Sequence, residues 1–292
     1  MSRNLIARLS VAAVAIPVIL WICYQGGWWF FGMVFIFAAL AISEFCIAEA
    51  VRPHQIEFWL IFLATMILMV TCGQVLWVTW PESLVQYVDP IDFSTPARGL
   101  VILFLLTGFL LTIRRVEPHV LFERFARLTW GTIYVGLLYS FVLAIGTRGL
   151  YFDSQVVGGG DLMLFLFGIL WIGDTTAMWI GSQFGRHKLA PTVSPNKTVE
   201  GFFGGTMGAA LVGLLMIFWK FSHVAWYDVM VLAVGCSISG QIGDLVESMW
   251  KRSINIKDSS AIIPGHGGVL DRFDSLLFAA PFMYLYVTYF CK

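Results

Sequence analysis

The chain has 292 residues, with 18 Lys plus Arg against 18 Asp plus Glu, and 59% of it is hydrophobic while only 12% is charged. Soluble domains are about one quarter charged, so this composition excludes an ordinary soluble protein and marks an integral membrane protein. The balanced net charge says nothing by itself about nucleic acid or an acidic partner, since distribution matters instead, and no nucleic-acid partner is expected. The five cysteines (Cys23, Cys46, Cys72, Cys236, Cys291) lie in or beside apolar runs without CxxC spacing, so they read as packing thiols rather than metal ligands or disulfides.

In chain order, apolar runs occur near residues 5 to 22, 28 to 48, 58 to 78, 130 to 147, 162 to 182, 202 to 219, 227 to 243 and 274 to 291. Each approaches the roughly 20 residues that a membrane-crossing helix needs. The first follows Arg3 and Arg8 and reads as an uncleaved helix rather than a signal peptide. A shorter run, 99 to 113, is decided by charge. With it counted and the N terminus inside, Arg98, Arg148, Lys220 and Lys292 fall one per outside segment and every other Lys and Arg falls inside, as the positive-inside rule favours. The segment 79 to 98 then reads as an external connection, and 114 to 129 as a positively charged inner loop, or, since its apolar positions and Arg recur at near-helical spacing, as a segment lying on the cytoplasmic surface. Long apolar runs without strand alternation exclude a barrel. The expectation is an all-α integral membrane protein: one membrane domain spanning 1 to 292, with N-terminal helices in 1 to 150 and site-bearing helices in 160 to 292. About nine transmembrane helices would form the bundle, with the N terminus cytoplasmic, the C terminus outside and a polar site facing the cytoplasm.

Residues 244 to 275 set five acidic and four basic side chains, a histidine and three glycines between two apolar stretches. Such charges beside hydrocarbon need water, mutual pairing or a charged ligand. Asp244, Asp258, Asp271 and Asp274 offer hard oxygens, Lys251, Arg252, Lys257 and Arg272 offer phosphate partners, and Gly265, Gly267 and Gly268 let backbone N–H groups approach an anion. If the helix begun at 227 continues past Asp244, then Asp244, Glu247, Ser248 and Lys251 share one face, either as a site or as a solvated helix exit. Asp271 and Asp274 open the last helix, where an acidic residue also serves as a cap. Lys197 precedes an apolar helix that opens with Gly201, an arrangement suited to an anion. Asp174 is an isolated carboxylate inside an apolar span, hence a functional candidate, unless a basic residue of 244 to 274 simply pairs with it.

Ser248, Lys251-Arg252, Lys257-Asp258, the PGHGG run from Pro264 to Gly268, Asp271-Arg272 and Asp274 together resemble the signature of the CDP-diacylglycerol synthase, or phosphatidate cytidylyltransferase, family. Ser194-Pro195-Asn196-Lys197-Thr198-Val199-Glu200-Gly201, preceded by Trp171-Ile172-Gly173-Asp174-Thr175, is similar to that family's SPxKTxEG segment. Val199 and Met178 depart from the pattern, where tryptophan and tyrosine are usual.

The resemblance implies an enzyme of a bacterial inner membrane that joins CTP and phosphatidic acid into CDP-diacylglycerol and pyrophosphate, with the lipid bilayer as a further partner and room for a homodimer. It places Mg²⁺ on Asp244 and Asp271, with Asp174 completing the metal set. The surplus carboxylates, and the paired metal centre associated with the family, leave a place for a second cation. Lys197, Lys251, Arg252, Lys257 and Arg272 would act on phosphates, with Asp258 and His266 in the same catalytic set. His266 is expected to orient or hydrogen-bond a phosphate, since a phosphate monoester, with a second pKa of about 6, needs no general base. Ser194, Thr198, Glu200, Ser248, Gly265, Gly267, Gly268 and Asp274 would contact substrate. The alternatives are a CTP-dependent transferase acting on another lipid phosphate and an ion-coupled transporter, against which the one-sided placement of charge argues.

Overall fold

The computed structural model describes residues 3–72, 117–152, 155–260, 262 and 267–291. It begins with helices α1 (Arg3–Gln25), α2 (Gly27–Ala48) and α3 (Ile56–Cys72). A rod follows, made of α4 (Pro118–Thr132), one π-helical turn (Ile133–Leu137) and α5 (Leu138–Arg148). The hairpin β1 (Leu150–Phe152) and β2 (Gln155–Val157) leads to α6 (Gly159–Phe184). A second hairpin, β3 (Lys188–Ala190) and β4 (Ser194–Thr198), leads to α7 (Val199–Trp219), α8 (Trp226–Ser253) and α9 (Leu270–Phe290).

Among the described residues, six helical segments are long and apolar enough to cross a membrane, namely Gly27–Ala48, Phe122–Thr147 and the whole of α6, α7, α8 and α9. Ala13–Gln25 and Ile56–Cys72 are shorter apolar helices. The protein is thus an all-α, multi-pass membrane protein, with the two small antiparallel hairpins confined to connections. The expected helix at 99 to 113, the external connection at 79 to 98 and therefore the count of nine lie outside the described residues.

One expectation is corrected. The described part of 114 to 129 is not a loop but the start of a helix that runs through the π turn into the next span. Pro118 occupies the first turn, where its missing N–H and fixed φ suit a helix start. Arg127 is directed to Glu49 at the end of α2, at 3.5 Å.

The helices that carry the polar residues approach one another on small side chains, as membrane helices do where packing rather than hydrophobicity drives association. α7 meets α6 through Gly201, Gly204, Gly205 and Gly208. A Cβ on Gly205 would stand 3.0 Å from both Ala177 Cβ and Gly173 O, and one on Gly201 would stand 2.8 Å from Ala177 O. α8 meets α9 at Gly243, where a Cβ would lie 2.7 Å from Asp274 O. At the opposite end of these helices Lys220 pairs with Asp161 at 3.1 Å, and Tyr286 Oη donates to Asp228 Oδ1 at 2.8 Å.

Candidate active site

α8 does continue past Asp244, to Ser253, with Lys251 and Arg252 in its last turn where cations suit the helix dipole. The expected face forms. Ser248 Oγ donates to Asp244 Oδ1 at 3.3 Å, and Lys251 Nζ lies 2.7 Å from Glu247 Oε2 one turn back. Lys251 Nζ also lies 2.7 Å from Asp271 Oδ1, so one ammonium joins α8 to α9. The Glu247 and Asp271 side chains are only 1% and 4% exposed, which makes this pairing a condition of burying them.

Asp271 gathers donors from the turn before its own helix. Its Oδ2 accepts from Gly268 N at 2.8 Å, Ser259 N at 2.9 Å and Ser259 Oγ at 3.0 Å. Gly267 has φ +83°, and a Cβ there would stand 2.6 Å from Asp271 Oδ2, so this turn requires glycine on both conformational and steric grounds. The N–H of Gly268 therefore serves Asp271. Asp274, one turn further along α9, is buried, and its Oδ1 accepts from Ser275 N at 2.6 Å.

The sequence reading missed Glu44. This residue of α2 is 2% exposed and receives four hydrogen bonds: Oε1 accepts from Ser260 Oγ at 2.7 Å and Val269 N at 2.9 Å, while Oε2 accepts from Leu270 N at 3.0 Å and Ser259 Oγ at 3.2 Å. It thereby caps the start of α9, whose first N–H groups have no partner within the helix, and fixes the segment that supports Asp271. Nearby, Trp250 of α8 stacks on Phe45 with ring centroids 4.6 Å apart and donates Nε1 to Glu49 at 2.9 Å. The signal in the sequence was a lone carboxylate inside the apolar run of α2.

On the other flank, β4 brings Lys197 Nζ to 2.6 Å from Asp244 Oδ2. Thr198 caps α7 by accepting from Gly201 N at 3.1 Å. Glu200 accepts from Arg186 N at 3.0 Å and His187 N at 3.2 Å, and lies 2.6 Å from His187 Nδ1. These two residues thus build the turn that places Lys197.

Two cavities result. One, of about 370 Å³, has Asp174, Asp244, Glu247, Asp258, Asp271 and Asp274 on its walls with Lys251 and Arg272, over Phe167, Leu170, Trp171 and Leu276. The other, of about 490 Å³, shares Asp174 and Asp244 and adds Asn196, Lys197, Thr198 and Gln241 among apolar side chains. The structure thus collects Asp174, Lys197, Thr198, Asp244, Lys251, Asp258, Asp271, Arg272 and Asp274. Ser194, Glu200, Ser248, Arg252, Lys257, Gly267 and Gly268 lie on neither wall; Arg252 donates to Ile256 O at 2.9 Å, and Lys257 is exposed. Gly265 and His266 lie outside the described residues.

Among the described residues no group of three or more His, Cys, Asp or Glu is arranged to hold a metal ion. The smaller cavity nevertheless suits cations. Its six carboxylates outnumber its basic groups, Lys197 and Lys251 each place an ammonium against a carboxylate, and Glu247 Oε1 is buried without a hydrogen-bond partner.

The profile of the Cytidylyltransferase family matches residues 6–290. A phosphatidate cytidylyltransferase of Staphylococcus epidermidis is 31% identical over 277 residues, covering 94% of this chain and 96% of that protein. One of Staphylococcus haemolyticus is 31% identical over 276 residues with the same coverage. One of Staphylococcus saprophyticus is 41% identical over 150 residues, which are 51% of this chain and 54% of that protein.

Proposed function

Because the chain belongs to the cytidylyltransferase family, we propose that it is the nucleotidyltransferase that makes CDP-diacylglycerol from CTP and phosphatidic acid, releasing pyrophosphate. The observation that carries the reading is the meeting of Asp174, Asp244 and Asp271 with Lys197, Lys251 and Arg272 around two adjoining cavities at one end of a membrane bundle. A soluble polyanion and a lipid phosphate can meet only at such a boundary.

An oxygen of the lipid phosphate forms a bond to the α-phosphorus of CTP while the bond from that phosphorus to the bridging oxygen of pyrophosphate breaks. Repulsion between two anions is the main obstacle, and preorganised positive charge is the remedy. Lys197 and Arg272 stand on cavity walls for this purpose. Lys251 acts differently: held between Glu247 and Asp271, it fixes the Asp271 carboxylate. Asp244 and Asp271 would hold Mg²⁺ with Asp174 beside them, and Glu247 and Asp274 leave a place for a second cation. Mg²⁺ keeps several positions for water and phosphate oxygens, so it needs only one or two carboxylates, and when bound it offsets the triphosphate charge.

The balance of Lys and Arg supports a site facing the cytoplasm of a bacterial inner membrane, where CTP is available. Detergent-purified protein incubated with radiolabelled CTP, Mg²⁺ and a panel of lipid phosphates tests the activity. Labelled CDP-diacylglycerol with phosphatidic acid is the expected product. Labelling only of another lipid phosphate establishes the alternative acceptor, and labelling of none refutes the activity.

A further inference from the structure

The two cavities that meet at Asp174 and Asp244 differ in kind. In the smaller, six carboxylates face Lys251 and Arg272, and Lys251 is already shared by Glu247 and Asp271. A wall of that charge repels a bare polyanion and accepts one that arrives with cations. The larger cavity has no acidic residue beyond the two it shares. Its polar groups include one ammonium, Lys197, and the neutral Asn196 and Gln241, set beside Met178, Leu189 and Phe202. Gln241 Nε2 donates to Phe202 O at 3.3 Å and Thr206 Oγ1 at 3.4 Å, which holds α7 and α8 together along this wall. Met178 is 71% exposed on a membrane-spanning helix, next to Trp179 at 60%, so the cavity borders the outer apolar face of the bundle.

Resting on the reading of the chain as a phosphatidate cytidylyltransferase, we infer that its two substrates are divided between these cavities. The lipid's phosphate binds on Lys197 in the larger one, with its apolar part leaving past Met178, while the nucleotide triphosphate and its cations take the carboxylate-lined one. A phosphate monoester carries about −1.5 to −2 charge at neutral pH; in the larger cavity it meets one ammonium and neutral donors against only the two shared carboxylates, rather than the six of the smaller one, and its hydrocarbon suits the apolar walls. A phosphate arriving at Lys197 takes the place that Asp244 holds on the same ammonium. The two reactants then face each other across Asp174 and Asp244, which border both cavities.

The test uses a Met178→Cys chain that also carries Cys72→Ser, because the four other cysteines are buried. Maleimide labelling of the introduced thiol is followed in detergent, with Lys197 intact. Dihexanoyl phosphatidic acid should slow labelling in proportion to its occupancy, while inorganic phosphate and Mg²⁺–CTP should leave the rate unchanged. Protection by Mg²⁺–CTP alone, equal protection by inorganic phosphate, or no protection by any probe overturns the division. In equilibrium binding, Lys197→Met should weaken the lipid by about tenfold or more and Mg²⁺–CTP much less, and Arg272→Gln the reverse, as expected for loss of a charge-assisted contact. Equal losses for both probes also overturn it. Wild-type turnover is measured in parallel: if it uses a different lipid phosphate, the proposed acceptor is wrong, and the division is read in the same two assays with that lipid.

Discussion

Lys197 Nζ and Asp244 Oδ2 lie 2.6 Å apart and join strand β4 to helix α8, with the two side chains 26% and 37% exposed. An ion pair so open to solvent contributes about 0–1 kcal/mol to stability. Its meaning is positional: it marks the border at which a lysine from one motif meets a carboxylate from the other.

Lys197→Met should therefore leave thermal unfolding within about 1 kcal/mol of wild type while lowering kcat/KM about tenfold or more, or about 1.4 kcal/mol of transition-state stabilisation. Lys197→Arg should recover part of the loss, since a planar fork does not reproduce a compact ammonium. CDP-diacylglycerol formation and thermal unfolding on the same preparations decide it. A Met variant with wild-type kinetics contradicts the phosphate role.

Asp271→Asn and Asp244→Asn should separate. Both should lose most Mg²⁺-dependent turnover. In Asp271→Asn an amide NH₂ must also confront either Lys251 or the donors on Ser259 and Gly268, and each buried group left unsatisfied costs about 1–3 kcal/mol. A lower unfolding temperature is thus expected for Asp271→Asn but not for Asp244→Asn, whose side chain is 37% exposed. Equal unfolding temperatures would contradict the hydrogen-bonded role given to Asp271.

Glu44→Gln should destabilise the protein by about 1–3 kcal/mol, because four donors converge on a side chain of which only one end still accepts. It should also lower kcat, since Glu44 fixes the segment that orients Asp271. Thermal unfolding and turnover are the two measurements, and no change in either would remove Glu44 from the site's support.

The proposed orientation predicts that Ser194→Cys and Lys257→Cys are shielded from an impermeant thiol reagent in intact cells, whereas His223→Cys is labelled, all on a Cys72→Ser background. Lys257 and His223 are exposed and report sidedness. Ser259 would report burial instead, being 8% exposed and hydrogen-bonded to Glu44. Labelling at Lys257→Cys from outside would reverse the orientation.

Helical periodicity made much of this legible. It gave the face shared by Asp244, Glu247, Ser248 and Lys251, the start of α9 at Asp271 and Asp274, and the cost of an isolated Asp174 within a span. It did not give the partners, because those depend on how helices far apart in sequence pack. Lys251 reads as a phosphate ligand until Gly243 lets α8 close on α9 and bring Asp271 to it. The glycines of the 265 to 268 run read as an anion cradle, yet Gly268 N donates to a carboxylate of the protein. The near-helical spacing of the arginines after Pro118 was visible, but their charge suggested a loop or a surface segment rather than the start of the next span, although proline at a first turn was an available signal. Strand β4, SPNKT, shows no apolar alternation and gave no warning of the hairpin.

Glu44 also imposes an order in time. It lies 226 residues before Leu270, and at a synthesis rate of about 5–20 residues per second its partners emerge on the order of ten to forty seconds later. Throughout that interval the nascent bundle holds a carboxylate whose four donors have yet to be made. A chain interrupted before Ser259 keeps it so permanently, since all four donors lie at or beyond that residue, and every such truncated form carries near its beginning a carboxylate that is costly to hold inside an apolar bundle.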